Sequence, residues 1–174
     1  SLQSTYWDGQ WNEKQRPAGR GDALYIPTTT QISILDGSDP TNLVKTGSFP
    51  SAITHSTLSL FGDYTYVLTM ADGSSPIRGM LRIYDITAPL SPALAGSLDL
   101  GERHESLFAQ GDTVYAAGNG YLKMIDVSDE TAPALLGEVV DVNLSLTTRD
   151  EAGRMWVRGN YAYIITGERD ADLF

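Results

Sequence analysis

The chain has only two histidines, and they stand in matching places. His55 lies seven residues ahead of Gly62, and His104 lies seven ahead of Gly111; each of these glycines opens a Gly-Asp pair. Two imidazoles at equivalent positions of a repeat can bind a metal or steer an anion. Arg103 and Glu105 flank the second imidazole, giving a candidate ligand-binding group of His55, His104, Arg103 and Glu105. Two histidines fall short of the three protein ligands that a catalytic zinc usually has. The plainer reading is therefore a solvated polar rim at a strand entrance, and the sharper one is a metal or anion held between the rings. The residues specify no particular cofactor.

The carboxylates divide in the same way. Asp36, Asp85 and Asp126 recur at the ends of similar apolar segments, where an Asp side chain accepts backbone N–H bonds and closes a turn. Glu168, Asp170 and Asp172 could open a calcium loop, but they lack the spaced Asp/Asn frame and central Gly of such loops. Arg20-Gly21-Asp22 spells an integrin-type tripeptide, yet its Gly-Asp is the recurring pair itself. Asn143-Leu144-Ser145 is a glycosylation acceptor by pattern. No nucleophile elbow, zincin helix or phosphate-cradling glycine loop is present, so no residue is assigned a catalytic role.

The elements that must position these residues are repeats. Gly111-Asp112-Thr113-Val114-Tyr115, Gly120 to Val127 and Pro133-Ala134-Leu135-Leu136-Gly137 form the clearest copy. Gly62 to Tyr66, Met80 to Ile86 and Pro92 to Gly96 form another, and Gly21 to Tyr25, Ile32 to Asp36 and Leu43 to Gly47 a third. A fourth opens at Gly159-Asn160-Tyr161-Ala162-Tyr163. The anchors at 21, 62, 111 and 159 give a unit of about 41 residues with insertions near Ala71–Pro76 and Asp150–Gly153. Segments such as Tyr64–Leu68 and Tyr161–Ile165 are aromatic and β-branched, as strands are. Lys123, Ile125 and Val127 alternate with Leu122, Met124 and Asp126, a strand with two mostly covered faces. No window carries a helical apolar period. The fold class is all-β: a β-propeller of four-stranded antiparallel blades, about three and a half of them, with Thr57–Phe61 and Ser106–Gln110 innermost and Pro133–Val139 outermost. The units run at about 20–56, 57–105, 106–152 and 153–174, after a tail or ring-closing strand over 1–19 that carries Trp7 and Trp11.

These residues resemble the LVIVD repeat of bacterial and archaeal β-propellers. Asp126-Val127-Ser128-Asp129 with Ala132-Pro133 is similar to its strand-ending turn, and Asp85-Ile86-Thr87-Ala88-Pro89 and Ser38-Asp39-Pro40 match more loosely. The resemblance covers residues 20 to 174 and implies a propeller fold. It brings no shared catalytic motif.

Composition narrows the partners. With 22 acidic and 12 basic side chains the formal charge is −10, which opposes nucleic acid, whose phosphates need a basic footprint. The absence of cysteine removes disulfides, thiolate chemistry and zinc–cysteine sites. No apolar run has the length of a membrane span. A chain that starts at Ser1 fits a processed mature protein or an excised segment. Fewer blades than the 4 to 8 of a closed ring imply that the remainder of the propeller comes from further sequence or from a second chain. The expected function is a non-catalytic scaffold presenting loops for protein or glycan binding in an exported or cell-surface assembly, extracellular or periplasmic. The alternative is part of a propeller enzyme whose channel-mouth site is completed by other blades.

Overall fold

A computed structural model describes residues 17–28, 31–50, 57–70, 78–102, 104, 106–118, 120–140 and 155–164. Among these residues every regular element is a strand. The first sheet comprises β1 (Ala18–Arg20), β2 (Ala23–Pro27), β3 (Gln31–Asp36) and β4 (Val44–Pro50) in sequential order. The second comprises β5 (Thr57–Phe61), β6 (Tyr64–Met70), β7 (Gly79–Asp85) and β8 (Ala93–Asp99), and the third β9 (Ser106–Gln110), β10 (Thr113–Gly118), β11 (Tyr121–Asp126) and β12 (Ala134–Val140). β13 (Met155–Arg158) and β14 (Tyr161–Ile164) form a two-stranded fourth. All pairings are antiparallel. The expected blades are thus present as three full four-stranded sheets and a two-stranded one. β5 and β9 sit at one edge of their sheets and touch one another, and β9 also touches β13, so the first strands line the inside of the array.

The anchor glycines build the first hairpin of each blade. Gly21, Gly62, Gly111 and Gly159 all have φ of 57° or 58°, and no atom crowds the place where their Cβ would be. Glycine is required there for the left-handed backbone, not for space, because the two-residue hairpin loop needs it. Each third strand then meets its fourth across a bulge, at Ile34/Leu35, Ile83/Tyr84 and Met124/Ile125. The bulge leaves Thr46, Ala95 and Leu136 as the extra residue of the outer strand.

The core lies between blades rather than within one. Ala23, Tyr25, Ile32, Ile34 and Phe49 of the first blade pack on Val67, Tyr84 and Ile86 of the second. The opposite face of the second blade, with Tyr66, Leu68, Leu81 and Ile83, packs on Leu107, Ala109, Val114, Ala116, Ile125 and Val127 of the third. The third blade presents Ala117, Phe108, Tyr115 and Leu122 to Met155 and Ile164. Strand alternation accounts for this: Val67 points back to one neighbour while Tyr66 and Leu68 point on to the next. The phenol that ends each Gly-Asp-x-x-Tyr segment reaches forward; Tyr25 donates its hydroxyl to the Pro89 carbonyl of the second blade at 2.7 Å.

Candidate functional site

Of the four residues singled out from sequence, the structure describes His104. His55, Arg103 and Glu105 lie outside the described residues, as do the insertions at 71–76 and 150–153, the Asn143 acceptor, Glu168, Asp170, Asp172 and the two tryptophans of the tail.

His104 stands in the linker that carries the chain from β8 to β9. The linker closes tightly on β7: Leu100 N donates to Gly79 O at 2.9 Å, and Gly79 N donates to Glu102 O at 3.0 Å. A Cβ on Gly79 would lie 2.2 Å from Glu102 O and 3.2 Å from His104 Nδ1, so only glycine admits this approach. Asp99 accepts from Gly101 N at 2.8 Å and turns the chain into the linker.

The expectation of a solvated rim is corrected at His104, whose side chain is buried at 6% exposure. Its Nδ1 is 2.8 Å from Glu102 O. A carbonyl only accepts, so Nδ1 carries the hydrogen, and Nε2 of the neutral ring keeps a bare lone pair. That Nε2 is buried and has no hydrogen-bond partner among the described residues. Desolvation, with a smaller push from the Lys123 ammonium, drives the imidazole pKa down to about 4. The Glu102 carbonyl and the Glu102 and Glu138 carboxylates oppose this and are outweighed. The ring is therefore uncharged at neutral pH.

Lys123, in the middle of β11, is buried at 7% exposure. Its ammonium donates to Leu100 O at 2.5 Å and to Glu102 Oε2 at 2.9 Å, and stands 3.5 Å from Glu138 Oε2. It also lies 5.6 Å from the Tyr121 ring centre. The hydrogen bond from Lys123 holds the Glu102 carboxyl below its ordinary range. One desolvated cation is thus matched by a carbonyl and two partly exposed carboxylates, and it staples the linker of the second blade to the third. Sequence reasoning missed this group. The available signal was Lys123 itself, a charge in register with Ile125 and Val127 on a face that those residues bury.

The other singled-out groups also serve the fold. Asp36, Asp85 and Asp126 accept from Ser38, Thr87 and Ser128 N at 2.9, 2.7 and 2.9 Å, as expected of turn-closing carboxylates. These bonds hold all three carboxyls below their usual range. Arg20 of the integrin-type tripeptide is engaged by Gly62 O and the Asp63 carboxylate of the next blade. Among the described residues no group of three or more His, Asp or Glu side chains stands close enough to hold a metal.

The comparisons bear on the family and the fold. The LVIVD repeat family model matches residues 55–99, 104–141 and 150–173. The chain belongs to the LVIVD-repeat family. Its three matched segments contain the second blade, the third, and the β13–β14 sheet, while the first blade, with the same strand order and bulge, precedes the first match. No curated protein matches the chain. Among solved structures, a chain of a Saccharomyces cerevisiae assembly of a Dbp5 variant bound to Nup159, a Gle1 variant, IP6 and ADP is similar at 11% identity with a TM-score of 0.50. The match covers 90% of this chain and 40% of that one, and at such low identity it shows likeness of fold alone.

Proposed function

We propose that this LVIVD-repeat chain is a non-catalytic propeller scaffold that presents its inter-strand loops to a protein or glycan partner in an exported or cell-surface assembly. The observation that carries the reading is the use of the polar groups. Lys123, Glu102, Glu138, His104, Arg20 and the turn aspartates each bond to the chain's own backbone or to one another. What remains for recognition is the loops, which are the parts of such scaffolds that vary freely. The insertion between β6 and β7 is the leading candidate, because it lies inside a blade: the stretch from anchor glycine to strand-ending Asp runs from 62 to 85 there, against 21 to 36 and 111 to 126 in the other units. The test is a glycan and protein-ectodomain array probed with the intact chain and with a variant whose 71–76 segment is deleted. Selective binding lost on deletion, with the unfolding midpoint unchanged, supports the scaffold; binding that survives deletion at full strength removes this loop from the function.

A second reading has one observation in its favour: the buried Nε2 of His104, which has no hydrogen-bond partner among the described residues. In it, His55, His104, Arg103 and Glu105 hold a ligand at the channel mouth, with groups from other blades. Calorimetric titration of Zn²⁺ or Ni²⁺ against His104→Ala tests it. Metal affinity unchanged by the substitution removes the site.

A further inference from the structure

We infer that the seam between the first and second blades binds a sugar acid, whose carboxylate is taken by Arg82. The inference concerns a seam and not the loops, so it is independent of what the 71–76 segment binds.

One place recurs in the three four-stranded blades, three residues before the strand-ending Asp: Ser33 on β3, Arg82 on β7 and Lys123 on β11. Each stands between a residue of the second strand and one of the fourth. Ser33 lies between Ile26 and Ser48, Arg82 between Val67 and Ser97, and Lys123 between Ala116 and Glu138. Cross-strand partners share a face of the sheet, and so do residues two apart in a strand. Arg82 therefore lies on the face that Val67 and Tyr84 turn to the first blade. Lys123 lies likewise on the face that Ile125 turns to the second.

The two cations meet different surroundings. Lys123 is matched by Leu100 O and by the carboxylates of Glu102 and Glu138. Arg82 has Ser97 where Lys123 has Glu138. The sequence also sets Ile53 nine residues ahead of Gly62, whereas Glu102 stands nine ahead of Gly111; Ile53 lies outside the described residues. Arg82 is part-buried, and among the described residues no hydrogen bond or ion pair reaches it. The other described cations are paired, as Arg20 is with Asp63 and Arg78 with Asp99, or exposed, as Lys45 and Arg158 are. A guanidinium drawn into a seam between blades loses hydration that no carboxylate among the described residues replaces. An anion entering the seam restores the balance.

The third blade shows which anion fits. There the place of Ser97 is held by a glutamate whose carboxylate stands 3.5 Å from the cation. A carboxylate set over Ser97 thus repeats an arrangement the blades already use, and serine in place of glutamate leaves room for it. The guanidinium fork holds a carboxylate by two parallel hydrogen bonds. Ser97 is exposed and offers a hydroxyl that both donates and accepts, as the hydroxyls of a sugar require. Tyr84 and Phe49, 4% and 5% exposed with ring centres 4.3 Å apart, wall the seam on the side of the strand-ending Asp, so a terminal group enters and a continuous chain does not. The formal charge of −10 favours a single negative charge over a doubly charged phosphate or a polyanion. The ligand is a neutral glycan that ends in one uronate-type sugar.

The intact chain is titrated with glucuronate by calorimetry, with glucose, inorganic phosphate and N-acetylglutamate α-amide (a stand-in for an acidic protein side chain) as comparison probes. The expected result is saturable binding of glucuronate, at least about tenfold tighter than that of the other three. Arg82→Gln weakens it at least about tenfold, and Arg82→Lys, which keeps the charge but not the fork, weakens it less. Lys45→Gln, at an exposed cation on β4, leaves it unchanged. A second readout needs no ligand. The urea midpoint of Arg82→Met is expected at or above that of the native chain, because an apolar side chain of similar length replaces an unmatched charge. No binding of glucuronate, or equal binding by the Arg82→Gln chain, overturns the inference. So does phosphate or the glutamate amide binding as tightly as glucuronate, the latter pointing to a protein partner instead. A midpoint of Arg82→Met below the native one overturns it as well, since the chain would then supply the counter-charge itself.

Discussion

The imidazole of His104 is spent on the chain's own backbone, and this determines how it titrates. Above about pH 6.5, its ordinary value, the ring is neutral whether the chain is folded or not. As pH falls from there toward the folded value of about 4, the unfolded chain takes a proton that the folded chain refuses. Stability is therefore lost through that window and levels off below it, with a ceiling of about 3 kcal/mol. Urea midpoints measured between pH 7.5 and 4.5 should fall for the native protein. His104→Asn, which keeps an N–H for the Glu102 carbonyl but cannot titrate, should flatten the curve in this range. The turn carboxylates, all held low, act at more acidic pH and do not confuse the reading. Lys123 supports the same linker from the other side. Lys123→Ala deletes the donor to Leu100 O and Glu102 and should cost about 1–3 kcal/mol, less than a fully buried pair because both carboxylates are partly exposed. The equal offset of the histidines from their glycines was legible in the sequence. The burial of His104 was not, since it depends on Gly79 admitting the linker from another strand, a contact with no local signature.

At the scale of strands and turns the glycines differ although they look alike. Gly47, Gly96 and Gly137 occupy the same place opposite the bulge in successive blades. A Cβ on Gly96 would lie 2.1 Å from the Glu130 carbonyl oxygen, where the turn of the third blade rests on the second. A Cβ on Gly137 meets nothing closer than Met124 Cε at 3.6 Å, and one on Gly47 meets Ile34 Cδ1 at 3.8 Å. Gly96→Ala should therefore cost about 1–3 kcal/mol through overpacking against backbone, while Gly137→Ala and Gly47→Ala stay within about 0.5 kcal/mol. Chemical denaturation of the three single variants checks this; equal effects would show that the turn of one blade does not bear on the next. The hairpin glycines and the strand-ending Asp were legible because they recur with local geometry behind them, a positive φ or a closed turn. The distinction among Gly47, Gly96 and Gly137 was hidden, because it is made by a neighbour some 34 residues later in the chain.

For the molecule as a whole, the placement of the core between blades makes stability a sum of neighbour contacts, as in other repeat arrays. The second blade is covered on both faces by complete blades, one through Val67, Tyr84 and Ile86 and the other through Tyr66, Leu68, Leu81 and Ile83. Among the described residues the third has a four-stranded neighbour on one face, and on the other Ala117, Tyr115 and Leu122 meet Met155 and Ile164 of the two-stranded sheet. That sheet leaves Trp156, Tyr161 and Tyr163 at 47%, 70% and 56% exposure. Opening free energies should follow this order. Native-state amide exchange is expected to be slowest in β6 and β7, faster in β10 and β11, and fastest in β13 and β14. Because local opening of the last sheet uncovers the third blade without disturbing the first two, Tyr66→Ala should speed exchange throughout the second and third blades. Met155→Ala should speed it in the fourth sheet and the adjoining face of the third alone. Uniform acceleration by both substitutions would mean that the array unfolds as one cooperative unit, and that the interfaces between blades are not the level at which its stability is divided.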